Sequence, residues 1–477
     1  MKKQYSIVLF FAFFLFNAAL VAGQTHFKDL KFPTLNDVKM PTVERLVLEN
    51  GLVVFLLEDH ELPTVSIAGR IRFHVGDEPA DKIGLRAVTA GVMRNGGSKT
   101  RSADEIDLAL DNMAASVNFG IGNTSGSFGA SSMTGQWEKT LAILLDLLQN
   151  PAFPEDKIEL KKIEMRSLIA RRNDEPFPTT VREFYKLVYG PASPYARQTE
   201  YATIEAISRD DVVAFHQTHY RPERMMAAVW GDFKMDEMKK QLTATLGTLK
   251  KGEVAPGKIP ETPEFAADKV NLIAKPDVNQ SVIFLGHLGG LMSNPDYFAL
   301  EVMNKILGGG FASRLFKRVR SDQGLAYSVF GAFSSNFDYN GTCYFGCSTK
   351  SGNTYKGIKS LLHEIDLLRR EEVTDEELHL AKEMYLNSFV FNFDNQDKII
   401  NRLLDLEYFG YPKDFLDITK KNIEKVTKAD VLRVAQKYLQ PDKLKILVLG
   451  NPKDFDGKLE DFGPVKSIDI TIPPGKK

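Results

Sequence analysis

The chain has 477 residues, more than one core accommodates, and at about 100–200 residues per domain it calls for two or more. Lys+Arg 61 against Asp+Glu 62 give a formal net charge of -1, which excludes a global electrostatic pull toward nucleic acid or anionic lipid and leaves only local patches. The only cysteines, Cys343 and Cys347, exclude a disulfide framework and are too few to make a zinc site.

The chain begins Met1-Lys2-Lys3-Gln4-Tyr5, followed by an apolar run from Ile7 to Phe16 and small residues up to Ala22-Gly23. This is the pattern of a secretory signal over residues 1–23, with Val21 and Gly23 at the −3 and −1 positions and a mature start near Gln24. The run falls short of the roughly 20 residues that cross a bilayer, and no later stretch is long and apolar enough to do so. Export is expected, to the periplasm in preference to secretion, with no membrane span after cleavage.

After a Pro-bearing lead-in to about Leu46, Leu52–Leu57 reads as a buried strand and Val65–Phe73 as the next. Helical spacing comes next at Leu85–Met93 and Ala103–Met113, the second opened by Ser102 with Asp104 and Glu105 in its first turn. The Ser/Asn/Gly-rich piece Ser116–Met133 reads as a strand pair with the weak alternation of an exposed edge. Helices at Trp137–Leu148 and Glu155–Arg172, a Pro- and Gly-rich loop, a helix at Arg209–Tyr220 and a strand at Met225–Val229 complete a first half. Residues 250–268 then lose all periodicity and gather Pro, Gly and charge, as a linker does.

Beyond the linker the plan is repeated. Ile204 to Val212, Tyr220-Arg221-Pro222 and Val229-Trp230-Gly231 are echoed by Ile423 to Val431, Tyr438 to Pro441 and Val448-Leu449-Gly450. Each copy reads as capped helix, proline turn, apolar strand and glycine. Pro154-Glu155-Asp156 and Thr374-Asp375-Glu376 likewise open long helices at corresponding points. Strands mixed with hairpins and long helices, rather than strict βαβ alternation, predict an α+β chain of two duplicated domains, each a mostly antiparallel sheet with helices on one face. The expected boundaries are 24–249, a linker at 250–268, and 269–477. Cys343 and Cys347 fall in one strand-like run, roughly 13 Å apart at about 3.3 Å per residue, and are expected free and buried.

The second half contains the run Gly308-Gly309-Gly310-Phe311-Ala312-Ser313-Arg314-Leu315, continuing through Arg320 to Tyr327. It reads as a glycine loop, a short helix capped by Ser313, a left-handed turn at Gly324 and a strand beginning near Tyr327. The helix is expected to hide Leu315, Phe316 and Val319 and to show Arg314, Lys317, Arg318 and Arg320. One glycine turn brings the Arg320 cation and the Tyr327 phenol toward the same edge.

With the duplicated halves, the Asp174-Glu175-Pro176 corner, the glycine run at 308–315 and Val319–Val329 in view, nearly the whole mature chain resembles the pitrilysin/insulinase family of inverted-zinc-motif peptidases. The likeness is to the processing-peptidase-like branch. Active members carry His-x-x-Glu-His on the first helix after the first hairpin and a further glutamate ligand on a later helix. Here Gly84-Leu85 opens that helix, but the two histidine positions are Ala87 and Gly91, the base position is Ala90, and Leu168 stands where the last ligand is expected. None of these side chains binds a metal or moves a proton.

The resemblance also implies a substrate-holding pair, an arginine and a tyrosine seven positions apart in the C-terminal half, and Arg320 and Tyr327 match that spacing. It further implies a division of labour in which one subunit carries zinc and its homologous partner carries the pair. The expected function is therefore the zinc-less, peptide-binding subunit of an exported heterodimeric metallopeptidase, with no cofactor of its own and zinc in the partner. Gly308, Gly309 and Gly310 would shape substrate entry, and the edge strand near Asn118 would pair with an extended peptide. The alternative is a non-enzymatic scaffold or peptide-binding protein of the same fold. A relocated metal site would need other histidines. The nearest pair, His216 and His219, lies in the repeated capped helix without a local glutamate and reads as one packed and one exposed residue.

Overall fold

A computed structural model describes residues 41–252 and 259–475; the signal segment 1–23 and the middle of the linker lie outside the described residues. The first half builds a six-stranded sheet from β1 (Glu44–Val47), β2 (Val53–Glu58), β3 (Thr64–Ile71), β4 (Ser116–Ile121), β5 (Gly126–Met133) and β6 (Met225–Gly231), in the order β1-β2-β6-β3-β5-β4. The second half builds another from β7 (Val270–Ala274), β8 (Gln280–Leu288), β9 (Ala326–Phe333), β10 (Thr342–Lys350), β11 (Lys445–Gly450) and β12 (Val465–Ser467), in the order β9-β10-β8-β11-β7-β12. Taken from the opposite end, the second order repeats the first. β2 and β6 pair in parallel, as do β7 and β11, while β6·β3, β3·β5 and β5·β4 are antiparallel like β11·β8, β8·β10 and β10·β9. Only the outermost strand differs. β1 enters as an antiparallel hairpin with β2, whereas β12 arrives from the C-terminal end and lies parallel to β7.

The helices of the first half are α1 (Leu85–Asn95), α2 (Ala103–Asn112), α3 (Trp137–Gln149), α4 (Glu155–Arg171), α5 (Pro176–Tyr189), α6 (Tyr201–Glu205), α7 (Arg209–His219) and α8 (Met235–Ala244). The second half has α9 (Tyr297–Leu307), α10 (Thr354–Arg370), α11 (Asp375–Phe389), α12 (Gln396–Phe409), α13 (Phe415–Lys425) and α14 (Lys428–Tyr438). The expected caps are present. Ser102 closes a reciprocal box with Glu105, and the repeated helices α7 and α14 open with equivalent boxes, Ser208 with Asp211 and Thr427 with Asp430.

Each sheet carries its own half's helices on one face, as expected. Val54, Leu56, Val65, Ile67 and Val229 point into the first helical layer; Ile283, Leu285, Phe345 and Val448 point into the second. Because strand side chains alternate, the intervening residues face the other way, and they too are apolar. Val53, Phe55, Leu57 and Ala228 meet Ile400 and Leu404 of α12, a helix of the second half. Reciprocally, Val282, Phe284, Leu447 and Leu449 meet Phe184, Val188 and Tyr189 of α5, a helix of the first half. The halves thus exchange one helix each.

The helix α5 corrects the loop expected between Arg172 and Arg209. Pro176 and Pro178 read as breakers, but they occupy the first turn, where the backbone N–H groups have no intrahelical acceptor and a fixed φ favours the helix. Polar contacts pin both crossings. Arg70 Nε donates to Asp405 at 3.0 Å, Arg72 Nη2 to the Tyr408 carbonyl at 2.8 Å with its guanidinium 4.7 Å from the Tyr408 ring, and the Tyr408 hydroxyl to the Thr124 carbonyl at 2.8 Å. On the other side the Tyr189 hydroxyl donates to the Asn340 carbonyl at 2.7 Å, and Tyr195 stacks on Tyr339 at 4.1 Å.

Cys343 and Cys347 are free and fully buried in β10. His216 and His219 correct a further expectation, since both are buried rather than one packed and one exposed. His216 Nε2 donates to the Leu148 carbonyl at 3.0 Å with its ring beside Phe153 and Tyr220, while His219 lies 4.2 Å from Phe215 and its Nδ1 accepts from Arg224 at 3.3 Å. The Phe73 and Phe215 rings pack against His219 and take the place of water. Burial pushes both imidazoles down to about 4.

This packing can be tested in two ways. Phe184 is 0 % exposed and belongs to one half while filling the other, so Phe184→Ala is expected to cost about 3–5 kcal/mol in urea denaturation; a loss below about 1 kcal/mol would show that α5 does not hold the halves together. For the histidines, native values below the ordinary 6.5 mean that the unfolded chain takes up protons first as pH falls. Their contribution is present above about 6.5 and lost as pH drops toward 4. Asp338, pushed up to about 6 by burial, works in the opposite sense, losing stability as pH rises. His216→Gln is therefore expected to lower the melting temperature at pH 7 but to shrink its further drop between pH 7 and 4.5; an unchanged drop would contradict the assignment.

Candidate peptide-binding site

The glycine run comes directly after α9, and its composition answers to the backbone of β9. A Cβ on Gly308 would stand 2.6 Å from the Gly331 carbonyl oxygen, and Gly310 has φ +136°, which an L side chain rarely adopts. Ser313 donates to the Gly310 carbonyl at 2.6 Å and accepts weakly from the Phe316 amide at 3.4 Å, holding the entry to the expected helix. That helix, Leu315–Asp322, is a π-helix rather than an α-helix. It ends at Gly324 in the left-handed conformation, with the Leu325 amide donating back to the Val319 carbonyl at 3.2 Å. The Thr349 hydroxyl donates to the Leu325 carbonyl and pins the start of β9.

Leu315 and Val319 are fully buried, as expected. Arg314 is not on show, however, and is 5 % exposed. Its Nε and Nη2 donate to the two carboxylate oxygens of Glu377 at 2.7 and 2.8 Å. The sequence wheel counts a charge but not the first turn of α11, which lays that carboxylate over it. Arg318 donates to Glu364 of α10 at 2.9 Å. Two of the arginines are thus anchors.

Arg320 and Tyr327 are brought together. Register shifts between Ala326 and Ser328, which sit opposite Thr349 and Ser348, so Tyr327 is the extra residue of a β-bulge and is turned outward. It is 82 % exposed. The Arg320 guanidinium lies 4.5 Å from the Phe316 ring and 5.9 Å from the Tyr327 ring. Among the described residues no carboxylate or carbonyl accepts from it, and the Tyr327 hydroxyl has no partner either. A cation held by two rings, with its donors unspent, is prepared for a carbonyl or carboxylate from outside. Phe316 is the supporting residue that sequence reasoning assigned to the core. It is half-buried, and four residues before Arg320 on one helix is the only signal that could have linked them.

On the other half, the four positions expected to be blank are arranged on α1 and α4. Ala90 is buried, Ala87 and Gly91 are partly so, and Leu168 is 64 % exposed. A Cβ at Gly91 would meet Lys161 Cε at 3.0 Å, and Lys161 is paired with Glu164 at 2.9 Å, so a lysine stem lies where an imidazole would have to enter. Zinc does not fit these residues. Among the described residues no group of three or more His, Cys, Asp or Glu side chains is placed to hold a metal ion. Ser116–Ile121 is the edge strand β4, with Asn118 beside Gly129 of β5.

Residues 206–385 match the family model described as the peptidase M16 inactive domain. The chain is 26% identical over 430 residues to an uncharacterized zinc protease of Streptomyces coelicolor, covering 87% of this chain and 90% of that protein. It is 24% identical over 401 residues to the non-peptidase homolog YmxG of Helicobacter pylori, covering 83% and 91%. Its fold is similar to the crystal structure of a peptidase M16 inactive domain from Pseudomonas fluorescens, with TM-score 0.76 and 23% identity over 86% of this chain and 98% of that one. A protease from Helicobacter pylori superposes with TM-score 0.74 at 18% identity, over 86% and 100%. With its duplicated halves, its paired Arg320 and Tyr327 and its blank metal positions, the chain fits the zinc-less branch of the pitrilysin/insulinase-type M16 peptidases, to which it is similar over most of its length.

Proposed function

We propose that this chain is the non-catalytic, peptide-binding subunit of an exported M16 metallopeptidase, completed by a homologous partner that carries the zinc motif. One observation carries the reading: the Arg320 guanidinium is presented at the surface between Phe316 and Tyr327 with its donors unspent, while the metal positions Ala87, Ala90, Gly91 and Leu168 offer no ligand. The non-peptidase name of the Helicobacter pylori relative supports the same side of the family. Export rests on the signal pattern of residues 1–23, and fractionation of cells into periplasm and cytoplasm tests it.

The roles are set by donor chemistry. Zinc, held by the partner, would supply the activated water. Arg320 holds backbone carbonyls or a carboxylate of the peptide in a fixed fork, and the Tyr327 hydroxyl donates to the scissile carbonyl oxygen as negative charge develops on it. A donor aimed at developing charge is worth about 3 kcal/mol, or on the order of 10² in rate. The Gly308–Gly310 loop lines the approach to this pair, and the β4 edge offers unpaired backbone groups to an extended chain.

Co-expression with a homologous chain containing His-x-x-Glu-His tests the reading. This chain and its partner are each expected to be inactive alone and active together, with Tyr327→Phe lowering kcat about 100-fold while both chains stay folded. Full activity from the partner alone would refute the proposal. If changing Arg320 and Tyr327 together leaves every peptide interaction intact, the scaffold reading stands in its place.

A further inference from the structure

A cavity of about 160 Å³ lies among α9, α11, α12 and α13 of the second half, and neither Arg320 nor Tyr327 lines it. In the repeated plan α9 and α11 take the places of α1 and α4, the helices that carry the blank metal positions. Between α1 and α4 the Lys161 stem lies against Gly91. Between α9 and α11 there is room, and the walls carry charge.

Tyr297, Tyr385, Phe389, Phe415 and Leu416 supply the apolar lining, while Lys305 reaches the same space from α9 and Arg402 from α12. Among the described residues neither cation is in an ion pair: Lys305 Nζ lies 5.9 Å from the centre of the Tyr385 ring and the Arg402 guanidinium 6.0 Å from that of Phe337. Glu301 stands one turn before Lys305. Burial pushes its carboxyl up to about 7, which Lys305 and a hydrogen bond from Asn304 offset only in part. Burial and then the Glu301 charge also push up the Tyr297 and Tyr385 hydroxyls, with Arg402 acting in the opposite sense on both, so the two charges bear on one small space. Glu301 cancels at most one of the two cations. At least one positive charge is left beside apolar walls, a balance that a singly charged anion with an apolar body meets and that Glu301 would spoil for a phosphate dianion. A guanidinium takes a carboxylate in a fixed fork. The volume, that of roughly five waters, admits one small organic molecule rather than a stretch of peptide.

We infer that this cavity is a binding site for a small monocarboxylate with an aromatic or branched aliphatic body, its carboxylate taken by Arg402 and Lys305 and its body laid among Tyr297, Tyr385 and Phe415. Ser388 of α11 lines the same cavity and is exposed, which places it at the mouth. The site asks nothing of Arg320 or Tyr327, so it stands or falls apart from the function proposed above.

The probes are 3-phenylpropanoate and 4-methylpentanoate, with 3-phenylpropan-1-ol as the uncharged match and inorganic phosphate as the dianion, each titrated into the full chain by isothermal calorimetry. At least one carboxylate is expected to bind once per chain, with the alcohol and phosphate at least about tenfold weaker. Arg402→Gln and Lys305→Gln are each expected to weaken the carboxylate about tenfold and to leave the alcohol unchanged. Because α12 helps to hold the halves together, Arg402→Gln is also followed by its melting temperature, and Ser388→Phe, at an exposed position, decides the matter if that variant does not fold. Ser388→Phe is expected to abolish binding while the melting temperature stays in place. No binding of either carboxylate, equal binding of the alcohol or of phosphate, or binding that survives Ser388→Phe overturns the site.

Discussion

Each sheet in this protein is apolar on both faces, and each half owns enough helices to cover only one. The exposed remainder is covered by exchange: α5 of the first half lies on β8 and β11 of the second, and α12 of the second lies on β2 and β6 of the first. At roughly 25 cal/mol for each Å² of apolar surface removed from water, covering these outer faces stabilises the two halves together. The halves are therefore one folding unit despite their duplicated plan. The Arg70–Asp405 pair and the two tyrosine hydroxyls, Tyr189 and Tyr408, satisfy polar groups at the crossing and fix its register.

That rigidity is what allows a short irregular segment to hold Arg320 and Tyr327 side by side. The π-helix from Leu315 to Asp322 is anchored below by Leu315 and Val319 and at its sides by Arg314 on Glu377 and Arg318 on Glu364. The bulge at Tyr327 is held by Thr349 from the neighbouring strand. A π-helix and a β-bulge are both less stable than their regular counterparts, and both recur where a side chain must be aimed. Here they converge from opposite sides on Arg320 and Tyr327, leaving the guanidinium steadied by rings and, among the described residues, without an ion-pair partner.

The helices α1 and α4 carry no metal-binding side chain at Ala87, Ala90, Gly91 or Leu168. Val88, Val92 and Met93 still bury one face of α1 in the core, so the helix is retained for packing. The half-buried Ala87 and Gly91 are small, and the Lys161 side chain lies across Gly91. The same α4 helix turns Leu160, Ile163 and Leu168 to solvent, where a ligand-bearing face would carry carboxylate.

Much of this was written into the order of the residues. Short-range rules sufficed for the capped helices at Ser102, Ser208 and Thr427, the buried strand at Leu52–Leu57, the edge strand at Ser116–Ile121 and the left-handed Gly324, because each depends on neighbours within a few positions. The repeated plan and the non-ligating side chains at Ala87, Ala90, Gly91 and Leu168 are likewise properties of the string. The features that the string left open depend on contacts between residues far apart in it. The helix at Pro176–Tyr189 looked like a loop because its stability comes from Phe284 and Leu447 in the other half. Arg314 looked solvated because Glu377 lies sixty-three positions away, and Phe316 looked like core because the Arg320 cation that stacks on it is a matter of helix winding. Periodicity and capping determined the parts; burial against a distant partner, which no local pattern encodes, decided which of those parts hold the halves together and which face outward.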